Sequence, residues 1–267
     1  IRSQRCTVFY GRSNMVRALK ASSSWSNDAV ETMRTGLTIG LPEDVAFIIE
    51  TLKAHELCNV YGSTETYGNA TVCDAFDSLE QRLNSQGMPL PGMDVQILDR
   101  DTREILPSGV IGEIAIKGYV TVGYYLEPEM TISTFHNDFF LSGDLGCLDQ
   151  DGRLYFKGRF KEMIKTGGIN VAPLEVEAIL VAHPMVKQAY GVGVFDHVKE
   201  EKVVAVVVYE EGEQESEKDL REFCREELAS YKVPESIIFY QEINLPLTST
   251  GKINKLKLKD ELTMKLG

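Results

Sequence analysis

Tryptophan, histidine and cysteine are scarce in this chain of 267 residues, which contains one Trp, four His and five Cys. The cysteines are odd in number, widely separated and without a Cys-x-x-Cys pair; they are Cys6, Cys58, Cys73, Cys147 and Cys224. This usage argues against a disulfide framework and against a zinc site. It predicts reduced thiols and a cytoplasmic location.

Positive charge is also in short supply, because 28 Lys and Arg are set against 40 Asp and Glu, for a net charge of -12. An acidic chain is poorly suited to non-specific nucleic-acid binding, so any anionic ligand must be bound by local donors. No apolar run approaches the roughly 20 residues that span a bilayer. The first residues, Ile1 to Arg5, include neither an initiating Met nor a signal peptide, so the start looks cut. We expect no nucleic-acid partner and no membrane span.

The most informative segment is Asn59–Glu65 (NVYGSTE), which ends an apolar run with a hydroxyl and a carboxylate side by side. Thr64 can donate to a phosphate oxygen, Glu65 offers hard oxygens to Mg²⁺, and Tyr61 can lie against a flat ligand. Gly62 allows close approach of the backbone. An ordinary strand that ends in a Gly turn has a similar composition, so the segment alone leaves both interpretations open.

Three further segments follow in order: Leu141–Gly146 (LSGDLG), Gly158–Gly168 (GRFKEMIKTGG) and Pro246–Lys252 (PLTSTGK). In type, order and spacing, the four segments resemble the signature motifs of the adenylate-forming superfamily, which comprises acyl-CoA synthetases, peptide-synthetase adenylation domains and firefly-type luciferases. That family also has a Ser/Thr/Gly-rich loop ending in Lys that wraps the β and γ phosphates of ATP. No such loop occurs among these residues, so we expect the C-terminal half of such an enzyme.

The resemblance implies a nucleotide site at the first motif. It places Gly40 against the adenine and the acyl carbonyl, Tyr61 against the adenine face and Thr64 at the α-phosphate, and it makes Glu65 the Mg²⁺ ligand. For Gly40, a plain turn before a helix is an equally good interpretation, since Thr35 to Pro42 (TGLTIGLP) is expected to be a Gly-punctuated loop.

The second and third motifs each supply one polar candidate. The carboxylate of Asp144, expected at a strand end, suits two vicinal ribose hydroxyls, and the resemblance implies that role. Its alternative is an Asp that closes a turn after Gly143. Arg159 is implied as a ribose or phosphate donor, with a surface ion pair as the alternative.

The third motif also supplies candidates for a hinge between two domains and for a channel that admits CoA. Lys161 matches the position at which the family has a hinge between its large and small domains, although an isolated lysine is usually just exposed. Gly167 and Gly168 are implied to line a channel for the pantetheine arm of CoA. A simple loop between a strand and a helix is the competing interpretation.

Lys252, at the end of the fourth motif, is implied as the catalytic lysine that contacts the substrate carboxylate and phosphate during adenylation. Together with Thr64 and Glu65 it completes the predicted catalytic set. Three lysines that follow it are expected to form a solvated helix face, with the 3′-phosphate of CoA as an alternative partner: Lys255, Lys257 and Lys259.

The patterns predict an α/β and α+β fold: residues 1–160 as the C-terminal part of the large AMP-binding domain, with a small β subdomain, and 161–267 as a small mobile C-terminal domain. Apolar spacing predicts helices at 42–57, 173–182, 218–228 and 253–264, and strands at 57–61, 139–148, 154–157, 186–194 and 203–208. Short strands are also expected around Val95 and Ile97 and around Ile114 and Ile116. The acidic stretch 210–215 is expected to be a solvated loop.

The function implied is that of an ATP-dependent acyl-CoA synthetase acting in fatty-acid metabolism. A carboxylic acid and ATP give an acyl-adenylate and pyrophosphate with Mg²⁺, and CoA then displaces AMP. The segments Ile164–Gly168 and Gly118–Tyr119 resemble the fatty-acid and aryl-acid CoA ligase branch of the family. A peptide-synthetase adenylation domain and a non-catalytic module are the alternatives. The chain alone is expected to be inactive and to expose an apolar surface through which it self-associates.

Overall fold

The computed structural model describes residues 1–209, 216–248 and 252–266. Two compact units divide the chain, Ile1–Phe156 and Lys157–Gly267, so the division falls four residues before the boundary expected from the sequence. The predicted mixture of α/β and α+β structure is confirmed. Within the described ranges, no helix combines the length and the apolar character needed to cross a membrane.

The first unit begins with a five-stranded sheet in which three parallel strands are extended by two antiparallel ones. Its strands, in spatial as well as chain order, are β1 (Val8–Tyr10), β2 (Thr35–Thr38), β3 (Glu56–Tyr61), β4 (Thr71–Val72) and β5 (Met88–Pro89). Its helices are α1 (Ser13–Lys20), α2 (Pro42–Leu52) and α3 (Leu79–Asn84).

Helix α2 confirms the helix predicted after Pro42, although it ends at Leu52. Pro42 occupies the first turn, where its missing N–H costs nothing, and acidic residues there complement the helix dipole. The four apolar residues at helical spacing are all buried against the sheet: Val45, Ile48, Ile49 and Leu52. Lys53 adopts a left-handed φ of 57° and ends the helix.

The loop expected over Thr35 to Pro42 is wrong for its first half, which forms strand β2. This strand is paired on both sides, since Gly36 lies opposite Phe9 of β1 and opposite Leu57 of β3. A Cβ at Gly36 would stand 1.8 Å from the Phe9 carbonyl oxygen. The glycine therefore serves close strand packing rather than a turn.

A second sheet follows along the chain, and the division between the two units falls within its last strand. Its strands are β6 (Asp94–Leu98), β7 (Gly112–Lys117), β8 (Phe135–His136), β9 (Phe139–Leu148) and β10 (Leu154–Arg159), in the order β10-β9-β7-β6 with β8 paired to β9. Helix α4 (Pro128–Ser133) precedes β8. The strands predicted on either side of residues 149–152 are confirmed. Asp149 closes the turn between them by accepting from the backbone N–H groups of Asp151 and Arg153.

In the ranges described for it, the second unit has one mixed sheet and three α-helices. The strands are β11 (Ile164–Thr166), β12 (Ile169–Val171), β13 (Val186–Asp196), β14 (Glu200–Tyr209) and β15 (Ser236–Phe239). They follow the order β12-β11-β14-β13, and β15 pairs with β14. The helices are α5 (Pro173–Ala182), α6 (Glu217–Glu227) and α7 (Lys255–Leu266), close to the predicted bounds. The acidic stretch 210–215, predicted as a solvated loop, and residues 249–251 of the fourth motif lie outside the described residues.

Strand β14 explains the unbroken apolar run at Val203–Val208, because it is covered on both faces. Alternate residues pack into two different clusters. Val203, Ala205 and Val207 join the cluster that includes residues of α5 and α6. Val204, Val206 and Val208 join the cluster that includes Leu258 and Leu262 of α7.

Candidate nucleotide-binding site

The first motif leaves strand β3 in a tight turn that presents Thr64 and Glu65. Gly62 is required there, since a Cβ would stand 2.1 Å from the Gly68 carbonyl oxygen. A short 3-10 helix, Thr64–Thr66, follows, and Thr66 Oγ1 accepts from the Ser63 backbone N–H at 2.9 Å. Thr64 is exposed and Glu65 is half-buried, so both side chains are available at one turn.

Glu65 is oriented by a tyrosine that lies outside the four sequence motifs. The Tyr124 hydroxyl donates to Glu65 Oε1 at 2.9 Å, and the Thr121 backbone N–H donates to the Glu65 carbonyl oxygen at 2.7 Å. Burial, followed by the hydrogen bond to this carboxylate, raises the pKa of the Tyr124 hydroxyl. Tyr124 therefore stays protonated at neutral pH and keeps the carboxylate in place.

The donors at this turn fit an Mg²⁺ ion that is bound together with a nucleotide. In the described part of the chain, no three His, Cys, Asp or Glu side chains are grouped as metal ligands. Mg²⁺ is commonly held by one or two carboxylates together with substrate phosphates and water. Glu65 can supply that single carboxylate, beside the exposed Thr64.

Asp144 lies inside strand β9, so the expectation of a strand end is wrong. It is only 7% exposed, and the Tyr61 hydroxyl donates to its Oδ2 at 2.9 Å. This hydrogen bond joins the first and second motifs across 83 residues of sequence. The strand continues through Asp144 because β7 pairs with β9 on both sides of it.

The Tyr61 ring packs mainly against the protein. Its centroid is 5.9 Å from that of Phe156, and it belongs to the core cluster that includes Val95 and Ile114. With 7% of Tyr61 exposed, little of the ring is open to a flat ligand. Its contact with adenine remains a prediction, whereas its hydrogen bond to Asp144 is an additional role.

Gly40 lies beside the first motif, immediately before α2. Its carbonyl oxygen accepts from Asn59 Nδ2 at 3.4 Å, which ties the loop after β2 to strand β3. A Cβ at Gly40 would stand 3.0 Å from Asp44 Cβ, a tight approach. The first unit thus brings Gly40, in the loop after β2, to the strand that carries Tyr61. The contact of Gly40 with a ligand remains a prediction.

The remaining predicted residues belong to the second unit. Arg159 ends strand β10 and Lys161 lies in the 3-10 helix Phe160–Glu162; both are exposed. Gly167 and Gly168 form the exposed turn of a hairpin between β11 and β12, so the alternative of a strand-to-helix loop is wrong. Their φ values of 57° and 77° favour glycine although their surroundings are open.

Lys252 is exposed just before helix α7. The Thr248 backbone N–H donates to the Lys252 carbonyl oxygen at 2.7 Å, and the Lys252 backbone N–H donates to Thr248 Oγ1 at 3.2 Å. A bridge between Leu247 and Ile253 adjoins these bonds. The base of the fourth motif is therefore fixed on the second unit by its backbone.

The solvated face expected for the lysines of α7 is wrong for Lys255. Its side chain is 15% exposed, and its Nζ is 2.7 Å from Glu177 Oε1 and 3.2 Å from Glu162 Oε2. Nζ is at ion-pair distance from both carboxylates but off the directions of regular hydrogen bonds. Lys259 forms an ion pair with Glu201, and Lys257 is exposed as expected.

The pKa values of Lys255 and Glu177 reflect both their burial and their closeness to each other. Burial disfavours the Lys255 ammonium, but the carboxylates of Glu177 and then Glu162 outweigh it and raise the pKa of Lys255. Burial raises the pKa of Glu177 despite the neighbouring Lys255. Glu177 also accepts from the Gly191 backbone N–H at 2.7 Å. The group fixes the start of α7 to α5 and to the residue after Lys161.

Two family models match the chain. The model described as AMP-binding enzyme matches residues 1–126, and the model described as AMP-binding enzyme C-terminal domain matches residues 175–252. Between them they cover most of the sequence. The medium-chain acyl-CoA ligase ACSF2, mitochondrial, of Rattus norvegicus is 33% identical over 271 residues, covering 100% of this chain and 44% of the relative.

Solved structures agree with this assignment. ATP-bound MatB from Rhodopseudomonas palustris superimposes with a TM-score of 0.88 at 31% identity, covering 99% of this chain and 52% of that chain. The o-succinylbenzoate CoA synthetase MenE from Bacillus subtilis, in complex with the acyl-adenylate intermediate OSB-AMP, gives 0.82 at 28% identity, with 97% and 52% covered. The chain spans about half the length of these proteins.

Proposed function

Because the chain belongs to the adenylate-forming superfamily, we propose that it forms the C-terminal part of an ATP-dependent acyl-CoA ligase. In the first reaction the carboxylate of an acid attacks the α-phosphate of ATP, and pyrophosphate leaves. In the second, the thiol of CoA attacks the acyl carbon, and AMP leaves. The hydrogen bond from Tyr61 to Asp144 carries this proposal, since it unites two motifs at one buried position.

The first reaction requires hydrogen-bond acceptors for the ribose hydroxyls, and hydrogen-bond donors and a cation for the phosphates. Asp144 accepts from the ribose hydroxyls. The Tyr61 hydroxyl donates to Asp144 Oδ2 and fixes the orientation of the carboxylate. Thr64 donates to the α-phosphate, and Glu65, steadied by Tyr124, offers its carboxylate to the Mg²⁺ that accompanies ATP. Mg²⁺ supplies electrostatic stabilisation of the phosphates when bound.

The second unit contributes the remaining cations and the hinge. Lys252 brings its ammonium to the substrate carboxylate and the α-phosphate during adenylation, when charge develops on the phosphate oxygens. Arg159 donates to the ribose or a phosphate. Backbone rotation at Lys161 then changes the protein from the conformation that carries out the first reaction to the one that carries out the second. The turn at Gly167 and Gly168 admits the pantetheine arm of CoA.

An assay with a panel of carboxylic acids identifies the acid. The rat relative is described as a medium-chain acyl-CoA ligase, which supports placing medium-chain fatty acids first in a panel of carboxylic acids. Pyrophosphate exchange without thioester formation would instead support a peptide-synthetase adenylation domain, if a carrier protein then accepted the acyl group. If a folded protein shows neither pyrophosphate exchange nor thioester formation, that result would support a non-catalytic module.

The variant Lys252→Ala tests the proposal when both half-reactions are measured in the protein at its full natural length. Loss of one preorganised donor should slow pyrophosphate exchange by about 10²–10³-fold. Conversion of a supplied acyl-adenylate to acyl-CoA should remain close to wild type, because this step does not use the ammonium. Lys257→Ala is the matched control, since Lys257 is exposed on the following helix.

Three outcomes can be distinguished. Slow exchange with normal thioester formation supports the role of Lys252, and loss of both reactions indicates a folding defect. Exchange at the wild-type rate in Lys252→Ala refutes the catalytic assignment.

Cytoplasmic location and self-association are further proposals. All five cysteines lie in the described part of the chain as thiols, which supports a reducing compartment. The sheet edge at β1 exposes 57% of Val8 and 62% of Tyr10, and such an edge favours association with another chain. Fractionation of cells and sedimentation of the purified chain test the two proposals separately.

A further inference from the structure

Strand β9 carries a bulge at the residues that deliver Asp144. Glu113 of β7 lies opposite Leu145, whereas Ala115 lies opposite Leu141. A step of two residues on β7 is therefore matched by a step of four on β9. Bulges of this kind re-aim a side chain relative to the sheet. Gly143, inside the bulge, has a φ of 71°, which favours glycine.

Within the bulge, Ser142 forms two bonds. Its Oγ donates to the Ile114 carbonyl oxygen at 2.7 Å and accepts from the Asp144 backbone N–H at 3.1 Å. The carbonyl that accepts lies on β7, opposite the bulge. Ser142 therefore fixes the backbone of Asp144 from one side.

Glu113 fixes the same segment from the neighbouring strand. Glu113 is 7% exposed, and its Oε1 accepts from the Gly143 backbone N–H at 3.2 Å. Its Oε2 accepts from Arg103 Nη1 at 2.5 Å. A buried carboxylate is costly unless paired and hydrogen-bonded, and here each oxygen has a partner.

Arg103 is itself held in a turn that directs it to Glu113. It adopts a left-handed φ of 63°, unusual for a residue other than glycine, and its backbone N–H donates to the Asp99 carbonyl oxygen at 3.0 Å. The order of contacts is therefore Arg103, Glu113, Gly143 and then Asp144. Neither Glu113 nor Arg103 belongs to the four motifs recognised in the sequence.

We infer that Glu113 is a positioning residue that, through the Gly143 N–H, fixes the bulge and aims the Asp144 carboxylate at the ribose of the nucleotide. This inference rests on the proposed function, because it requires Asp144 to bind the ribose. Glu113 itself does not contact the ligand. Its effect should appear only in the part of nucleotide affinity that depends on the ribose hydroxyls.

The test compares ATP with 2′,3′-dideoxy-ATP, which lacks both hydroxyls, in the protein at its full natural length. Glu113→Ala should weaken ATP binding by about 2- to 30-fold, the range of indirect couplings. Binding of the dideoxy nucleotide should be unchanged. Glu113→Gln should recover much of the loss, since its amide oxygen can accept from Gly143. Glu104→Ala, at an exposed site on the same hairpin, is the control.

The outcomes separate the inference from the proposed function. If the wild type binds both nucleotides equally well, the ribose role of Asp144 fails, and the inference fails with it. If the wild type binds ATP more tightly than the dideoxy nucleotide and Glu113→Ala shows the same difference in affinity, only the positioning role is overturned. Equal weakening of both nucleotides by Glu113→Ala and Glu113→Gln also overturns it, because Glu113 then supports the fold alone.

A double variant adds an independent check. Once Asp144→Ala has removed the carboxylate, adding Glu113→Ala should not weaken ATP binding further, because a positioning residue acts through its target. Additive losses from the two substitutions would contradict the inference. Amide exchange at Gly143, faster in Glu113→Ala, would report that the hydrogen bond itself is lost.

Discussion

Removal of the buried Lys255 side chain should destabilise the second unit strongly. In Lys255→Met, a side chain of similar length fills the space, but Glu177 and Glu162 lose the ammonium that lies 2.7 and 3.2 Å from them. The Glu177 side chain is only 5% exposed, so water cannot replace that charge. The Gly191 N–H remains as its hydrogen-bond donor.

The expected loss is about 3–5 kcal/mol, the usual cost of breaking a buried pair by removing one partner. Glu177 accounts for most of this cost, since the Glu162 side chain is 33% exposed and partly hydrated. In the variant Lys255→Met/Glu177→Gln, both charges are gone, and stability should recover most of the loss. Lys257→Met, exposed on the same helix, should change stability by less than about 0.5 kcal/mol.

The effect should also depend on pH in a defined direction. Burial raises the pKa of Glu177, and without Lys255 that rise is larger. A carboxyl whose folded pKa lies above its unfolded pKa favours the folded state at low pH, and this advantage is lost as pH rises through the folded pKa. Lys255→Met should therefore cost more at about pH 8 than at about pH 5.

Urea-dependent amide exchange in strands β13 and β14 is the suitable assay, because these strands report on the second unit without assuming that the whole chain unfolds in one step. A loss below about 1 kcal/mol in Lys255→Met, with no dependence on pH, would refute the reasoning. The pair would then behave as a surface ion pair. Equal losses in Lys255→Met and in the double variant would indicate that packing, rather than charge, is responsible.

Three further predictions concern other parts of the chain. Asp144→Ala should weaken ATP binding by about 10- to 100-fold, the cost of a charge-assisted hydrogen bond; a titration that shows a change within about twofold would contradict this. Lys161→Pro should spare adenylation but slow thioester formation, because proline fixes φ near -65°, and equal losses in the two half-reactions would indicate misfolding instead. The hydrogen bond from Arg153 lowers the pKa of Asp77, so its stabilisation is present above about pH 4 and is lost as pH falls through the folded pKa. Asp77→Asn should flatten that acid-side decline in thermal melts of the first unit, and an unchanged decline would assign it to other carboxylates.

Local patterns predicted the long regular elements well. The helical spacing of Val45, Ile48, Ile49 and Leu52 predicts α2, and the continuous apolar run at Val203–Val208 predicts β14, because each pattern follows from burial of a repeating face. Short elements such as α3, β4 and β8 escaped prediction. They contain too few residues to show a period. Pairing with neighbouring strands determines β4 and β8, whereas α3 begins with a capping box formed by Ser78 and Gln81, which is a local signal.

Glycine was the least informative residue when read alone. Gly36 suggested a loop, but it lies in a strand where a side chain would collide with Phe9. Gly143 suggested a turn closed by Asp144 at a strand end, but both residues lie within a bulge of β9. In both cases the neighbouring strand decides what the glycine does, and that strand is distant in sequence.

Local chemistry and spacing were enough to predict the family, the order of the four motifs and the residue types suited to phosphate, ribose and Mg²⁺. The side chains that support these residues are identified in the folded chain alone. Tyr124 reaches Glu65 across 59 residues, Tyr61 reaches Asp144 across 83, and Glu113 reaches Gly143 across 30. The contact of Glu113 with Gly143 arises from the pairing of β7 with β9. The other two arise from tertiary packing between segments that are not paired with each other, so local preferences predict none of the three.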